Sequence, residues 1–124
     1  MIENVHTDTA PAALGPYSQA KKVGGLVFTS GQIAIDPAAG KITAADIEGQ
    51  THQVCKNLAE VLKAAGTDFS KVVKTTCFLD DIGDFGAFNE IYGQYFTSKP
   101  ARSCVEVAKL PAGALVEVEV IAEA

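Results

Sequence analysis

Basic charge is in short supply in this chain. Ten Lys and Arg stand against fifteen Asp and Glu, a net charge of −5 over 124 residues. A protein that grips nucleic acid needs a basic stripe to neutralise phosphates. Apart from the pair Lys21-Lys22, the cations here are scattered, so nucleic acid is not the expected partner. Cysteine is sparse too. Cys55, Cys77 and Cys104 are an odd count at wide spacing, which does not read as a disulfide framework and points to a reducing compartment. No apolar run is long enough to span a bilayer, and residues 1–15, MIENVHTDTAPAALG, hold no apolar core of signal-peptide length. These gaps together predict a soluble, cytoplasmic protein without a membrane partner. Histidine occurs only at His6 and His52. His52 and Cys55 lie three apart in a helical stretch, but zinc asks for four ligands, or three and a water, and His6 is far off in sequence, so no metal is expected. A phosphate-cradling glycine pattern is also missing.

What is present is an ordinary globular composition, 48% apolar and 20% charged, of a length that fits one domain over residues 1–124. A chain this size buries about two-thirds of its unfolded surface, which makes burial against a partner subunit attractive. SQAKK and LVFTS flank Val23-Gly24-Gly25 and predict a hairpin. SGQIAIDPAAGKI reads as loop around a short strand. Ile47, Thr51, Val54, Leu58, Val61, Leu62 and Ala65 recur at steps of three and four and predict a helix. Thr43 and Asp46 resemble a capping box at its start, and Gly66 stands where a left-handed residue would end it. KVVKTTCFLDD reads as a buried strand, and DFGAFNEIYGQYF as a second helix weakened by Gly86 and Gly93. RSCVEVAKL and LVEVEVIAEA close the chain as strands about a turn at Pro111-Ala112-Gly113. The order β-β-β-α-β-α-β-β predicts a two-layer α+β sandwich, with two helices covering one face of a sheet.

The last two strands pose the functional question. In RSCVEV, Arg102, Cys104 and Glu106 alternate with Ser103, Val105 and Val107, so the two sets point to opposite sides of a sheet. Placing the valines against the helices puts Arg102, Cys104, Glu106, Glu117 and Glu119 together on the other face. That face is either wet surface, as in many antiparallel sheets, or a charged cleft. A tight hairpin about Pro111-Gly113 would set Glu106 roughly opposite Glu117, an unfavourable pairing of like charges. It would also leave Arg102 and Glu117 too far apart for a local ion pair, at two ends of a cleft that a second subunit would close.

GPYSQA at Gly15 to Ala20, TSGQ at Thr29 to Gln32, PARSCVEVAKLP at Pro100 to Pro111 and the closing VEVEVIA resemble the RidA/YjgF family of enamine/imine deaminases, over essentially the whole chain and in the family's order. The resemblance implies a chorismate-mutase-like fold with one six-stranded mixed sheet, assembled as a homotrimeric barrel with ligand sites between subunits. It also implies hydrolysis of 2-aminoacrylate and 2-aminocrotonate, or their imine tautomers, to 2-keto acids and ammonia. This would protect other enzymes from products of pyridoxal-phosphate-dependent dehydratases. Arg102 matches the family's carboxylate-binding arginine, and a planar carboxylate favours a bidentate guanidinium. Glu117 matches the glutamate that positions or activates water, and an electrophilic imine carbon needs little beyond orientation and a weak base. Substrate-binding roles carry over to Tyr17, Ser30, Gly31, Asn89 and Cys104, with bland alternatives for three of them. Tyr17 could be simple packing, Gly31 a turn, and Asn89 a solvated helix residue. Cys104 as nucleophile is opposed by the lack of a nearby histidine and by Glu106 on its own face. No cofactor is required. One departure stands out: only Thr97, Ser98 and Lys99 separate Phe96 from Pro100, where many relatives have a longer loop, which bears on pocket size. A non-catalytic sensor of small 2-keto acids using the same Arg102 pocket is the main rival reading. Action on RNA is disfavoured by the charge balance.

Overall fold

The structure, a computed structural model, describes residues 1–124. Its main sheet has six strands: β1 (Glu3–Val5), β2 (Ala20–Val23), β3 (Leu26–Thr29), β6 (Val72–Leu79), β7 (Ala101–Glu106) and β8 (Val116–Glu123). Their order across the sheet is β1-β2-β3-β8-β6-β7. The strands β4 (Ile35–Asp36) and β5 (Lys41–Ile42) form a separate small ribbon. Helices α1 (Ile47–Ala64) and α2 (Phe85–Tyr95) pack against each other and cover one face of the six-stranded sheet. This is the expected α+β sandwich with a mixed sheet, since only β6 and β7 run parallel.

Local chemistry explains the edges of these elements. The β2–β3 turn uses Gly24 and Gly25, both at positive φ (57° and 77°), which a two-residue hairpin of this twist demands. Helix α1 starts on Asp46 alone, whose carboxylate accepts a hydrogen bond from the Gly49 amide at 2.7 Å, so the Thr43–Asp46 box is replaced by a one-residue cap. It ends in a Schellman turn. Gly66 sits at φ 84°, its amide donates to the Lys63 carbonyl, and the Thr67 amide donates to that of Leu62 at 2.9 Å. The apolar stripe of α1, with Val54, Leu58 and Leu62 fully enclosed, meets Val116, Val118 and Val120 of β8 and Phe88 of α2 in a sixteen-residue core.

Two expectations fail at the carboxyl-terminal strands. β7 and β8 do not form a hairpin, because β6 lies between them. Glu106 faces Leu79 and Glu117 faces Phe78, so the two carboxylates are never opposite one another. The faces also separate. Arg102 is in register with Thr75 and Cys104 with Cys77, and across β6 these meet Val120 and Val118 of the core. Arg102, Cys104 and Glu106 therefore point to the helix side. Glu117 and Glu119 share the opposite face with Ser103 and with Val105, which is 45% exposed. Alternation had put the valines of both strands inside, but Val105 lies outside. A bulge between Val72 and Lys74 likewise buries Val72 and exposes Val73. β1 and β5 are additional to the sequence-derived elements.

Candidate functional site

Of the residues singled out in the sequence, Tyr17, Gly31 and Glu117 line one hollow and Asn89 and Arg102 another, on opposite faces of the sheet, while Ser30 and Cys104 line neither. The first is a cavity of about 140 Å³ lined by Tyr17, Gly31 and Glu117, with Gln32 and Pro111 at its walls. Gly31 follows the end of β3, and Glu117 is the second residue of β8. The carboxylate lies directly on the glycine: a Cβ built on Gly31 would come within 2.3 Å of Glu117 Oε2 and 2.8 Å of its Cδ. Steric room, not backbone freedom, makes position 31 a glycine. Ser30 is next to it, but its hydroxyl donates to the Ser18 carbonyl at 2.6 Å, which ties the strand end to the segment carrying Tyr17. Tyr17 is 55% exposed, so it borders the hollow and packs into no core. Partial burial, and then the neighbouring Glu119 carboxylate, push the Glu117 carboxyl above its ordinary value. A carboxylate moved upward is a better proton acceptor.

The second hollow, about 620 Å³, lies beside α2 and is lined by Asn89, Tyr92, Lys99 and Arg102. Its floor follows from helical spacing. Phe85, Asn89 and Tyr92 stand at i, i+4 and i+7, on one face of α2. All three meet Arg102. Its guanidinium carbon is 4.8 Å from the Tyr92 ring centroid and 5.3 Å from that of Phe85, and Nη1 donates to Asn89 Oδ1 at 2.7 Å. Tyr92 is itself fixed by a 2.7 Å hydrogen bond between its hydroxyl and that of Thr75. The fork of Arg102 is thus oriented by a neutral amide and two rings, with no carboxylate within ion-pair distance. Phe85 and Tyr92 are not among the candidate site residues that the sequence offers. Their spacing with Asn89 was the signal that could have tied them to the arginine.

Cys104 is half-buried on β7, two residues from Arg102. Burial raises its thiol above the ordinary value, partly offset by the Arg102 charge and a contact with Cys77. Burial, and not Glu106, therefore keeps it from ionising: the Glu106 carboxylate is engaged by the Ile82 amide at 2.9 Å. The His52–Cys55 pair does not converge, since His52 Nδ1 meets the Tyr95 hydroxyl at 2.8 Å while Cys55 is sealed in the core.

Comparison with known proteins identifies the family of the chain. The family model described as Endoribonuclease L-PSP matches residues 7–124. The chain is 53% identical over 122 residues to the RutC family protein y4sK of Sinorhizobium fredii, covering 98% of this chain and 97% of that one. It is 50% identical over 119 residues to the mouse 2-iminobutanoate/2-iminopropanoate deaminase, covering 95% of this chain and 88% of the mouse protein. The crystal structure of YyfA from Yersinia pestis, a Rid family protein of unknown function, superimposes with a TM-score of 0.97 at 49% identity, all of both chains being covered. Full-length matches at this identity leave no ambiguity of membership: the chain belongs to the Endoribonuclease L-PSP family, the RidA/YjgF family of the sequence reading.

Proposed function

We propose that this protein hydrolyses small 2-imino acids, 2-iminopropanoate and 2-iminobutanoate or their enamine tautomers, to 2-keto acids and ammonia. The observation that carries the reading is the Arg102 fork, held in place by Asn89, Tyr92 and Phe85 and paired with no acid of the chain. A planar carboxylate is its natural complement. Glu117 supplies the second group. In the proposed reaction water adds to C2 of the protonated imine and Glu117 takes the proton that water loses. Glu117 returns that proton to the carbinolamine nitrogen and then takes the hydroxyl proton as the C=O bond forms, the C–N bond breaks and ammonia leaves. Orientation and one weak base suffice for this chemistry. Tyr17, Ser30, Gly31, Asn89 and Cys104 shape the two sides of the site. The mouse relative's name supports this reaction class.

A single chain holds Arg102 and Glu117 on opposite faces of its sheet, so one small substrate cannot touch both within one copy. We therefore infer a homotrimer in which the Arg102 hollow of one copy meets the Glu117 hollow of the next. The exposed Phe28 and Val105 on the helix-free face support such an assembly. No helix is long and apolar enough to cross a membrane. The reading places the protein in the cytoplasm, beside pyridoxal-phosphate-dependent dehydratases that release its substrates.

The test couples a serine or threonine dehydratase of that kind to the protein and follows 2-keto acid formation. Acceleration by the wild type and not by Arg102→Ala supports the reading. No acceleration by either, with retained binding of 2-oxobutanoate, would replace it with a keto-acid sensor.

A further inference from the structure

The hollow that holds Arg102 contains a second cation with no assigned task. Lys99 lines it three residues before the arginine, and no acidic side chain is among its walls. In a chain with net charge −5, a concave site bordered by two cations and no acid is a local exception. Lys99 is also held in an unusual way. Its φ is +52°, in the left-handed region that a non-glycine residue rarely occupies, and it immediately precedes Pro100, which steers its neighbour toward extended backbone. The segment is fastened there. The Lys99 amide donates to the Phe96 carbonyl at 3.2 Å, and the Ser98 hydroxyl reaches the Val72 carbonyl at 3.1 Å. A glycine would adopt this turn without strain. The chain instead retains a long cationic side chain beside the arginine, and strain kept at a site border points to use of the side chain.

We propose, building on the deaminase reading, that Lys99 extends the site to 2-imino acids that carry a second, distal carboxylate. Arg102 takes the carboxylate next to C2, as for the simple substrates, and the Lys99 ammonium takes the one at the other end. The volume of about 620 Å³ leaves room beyond a three-carbon acid. The hydrolysis is unchanged: 2-iminosuccinate and water give oxaloacetate and ammonia.

The rival role for Lys99 is purely local, a cation near the carboxyl end of α2 that offsets the helix dipole. Two measurements separate the alternatives. The first compares kcat/KM for 2-iminosuccinate, generated in place by oxidation of aspartate, with that for 2-iminopropanoate. The second, independent of turnover, compares Kd for oxaloacetate and pyruvate. Lys99→Gly removes the cation and relieves the φ strain, so it folds at least as well as the wild type, and Lys99→Arg keeps the charge. The proposal expects Lys99→Gly to lower the diacid-to-monoacid ratio about two- to fivefold in both measurements, an effect of the size that one exposed charge contact supports. Lys99→Arg should restore most of it, and added salt should shrink it. Equal ratios in wild type and Lys99→Gly would overturn the proposal while leaving the deaminase reading intact. If no imine is turned over, the deaminase reading fails and the oxaloacetate-to-pyruvate Kd ratio alone decides the role of Lys99.

Discussion

Gly31 and Glu117 lie so close together that any side chain added at position 31 must displace the carboxylate. Gly31→Ala would place a methyl group inside the carboxylate's position, 2.3 Å from Oε2, and the side chain must swing away. The expected result is a loss of at least about tenfold in kcat, as for other displaced catalytic groups, with stability altered by no more than about 1 kcal/mol. Steady-state kinetics beside a thermal melt checks both. The raised proton affinity of Glu117 sets the pH profile. Its carboxylate is protonated at low pH, so activity should rise as pH climbs through a value above that of an ordinary glutamate. Glu119→Gln removes one of the two causes, and should shift this rise to lower pH without changing the plateau. The stability sign is opposite to that of a salt-bridged acid. A carboxyl raised in the folded state favours folding below its unfolded value and ceases to do so as pH rises through the folded one. Glu117→Gln should thus fold as well as the wild type at neutral pH.

Among the elements, those governed by local rules were legible in the sequence. The Gly24-Gly25 hairpin, the apolar stripe of α1 and its end at Gly66 follow from turn geometry and a 3.6-residue period. Gly66→Ala should cost about 1 kcal/mol at φ 84°, seen as a drop of roughly 3–5 °C in Tm. What the sequence did not reveal is which face of β7 is inside. Alternation divides Arg102, Cys104 and Glu106 from Ser103 and Val105, but a period of two cannot say which set meets the core. That is decided by tertiary pairing. α2 carries the chain from β6 to a parallel β7, and the rings of Phe85 and Tyr92 then give the Arg102 guanidinium an apolar floor. The candidate residues were legible because their types suit the chemistry. Their distribution over two hollows was not, because it depends on β6 lying between the strands that carry them.

At the level of the whole molecule, one face of the sheet is covered by α1 and α2 and the other by no helix. Val105 and Phe28 stand partly exposed on that bare face beside Glu117 and Glu119. If neighbouring copies cover it, as the proposed trimer requires, Val105→Asp buries an unpaired charge between subunits and should give monomers and lost activity together. Light scattering after gel filtration, with the assay on each fraction, reads this out.

A working site that joins the arginine of one copy to the glutamate of another can be reassembled from two defective parents by subunit mixing. Arg102→Ala and Glu117→Gln proteins, each inactive alone, would be unfolded together, refolded and assayed for imine hydrolysis. Random assembly around a closed ring pairs an intact arginine with an intact glutamate at about one site in four, so a shared site should recover about a quarter of wild-type activity. If the mixture stayed as inactive as its parents while wild-type chains refolded in parallel regained full activity, Arg102 and Glu117 would not be shared between copies.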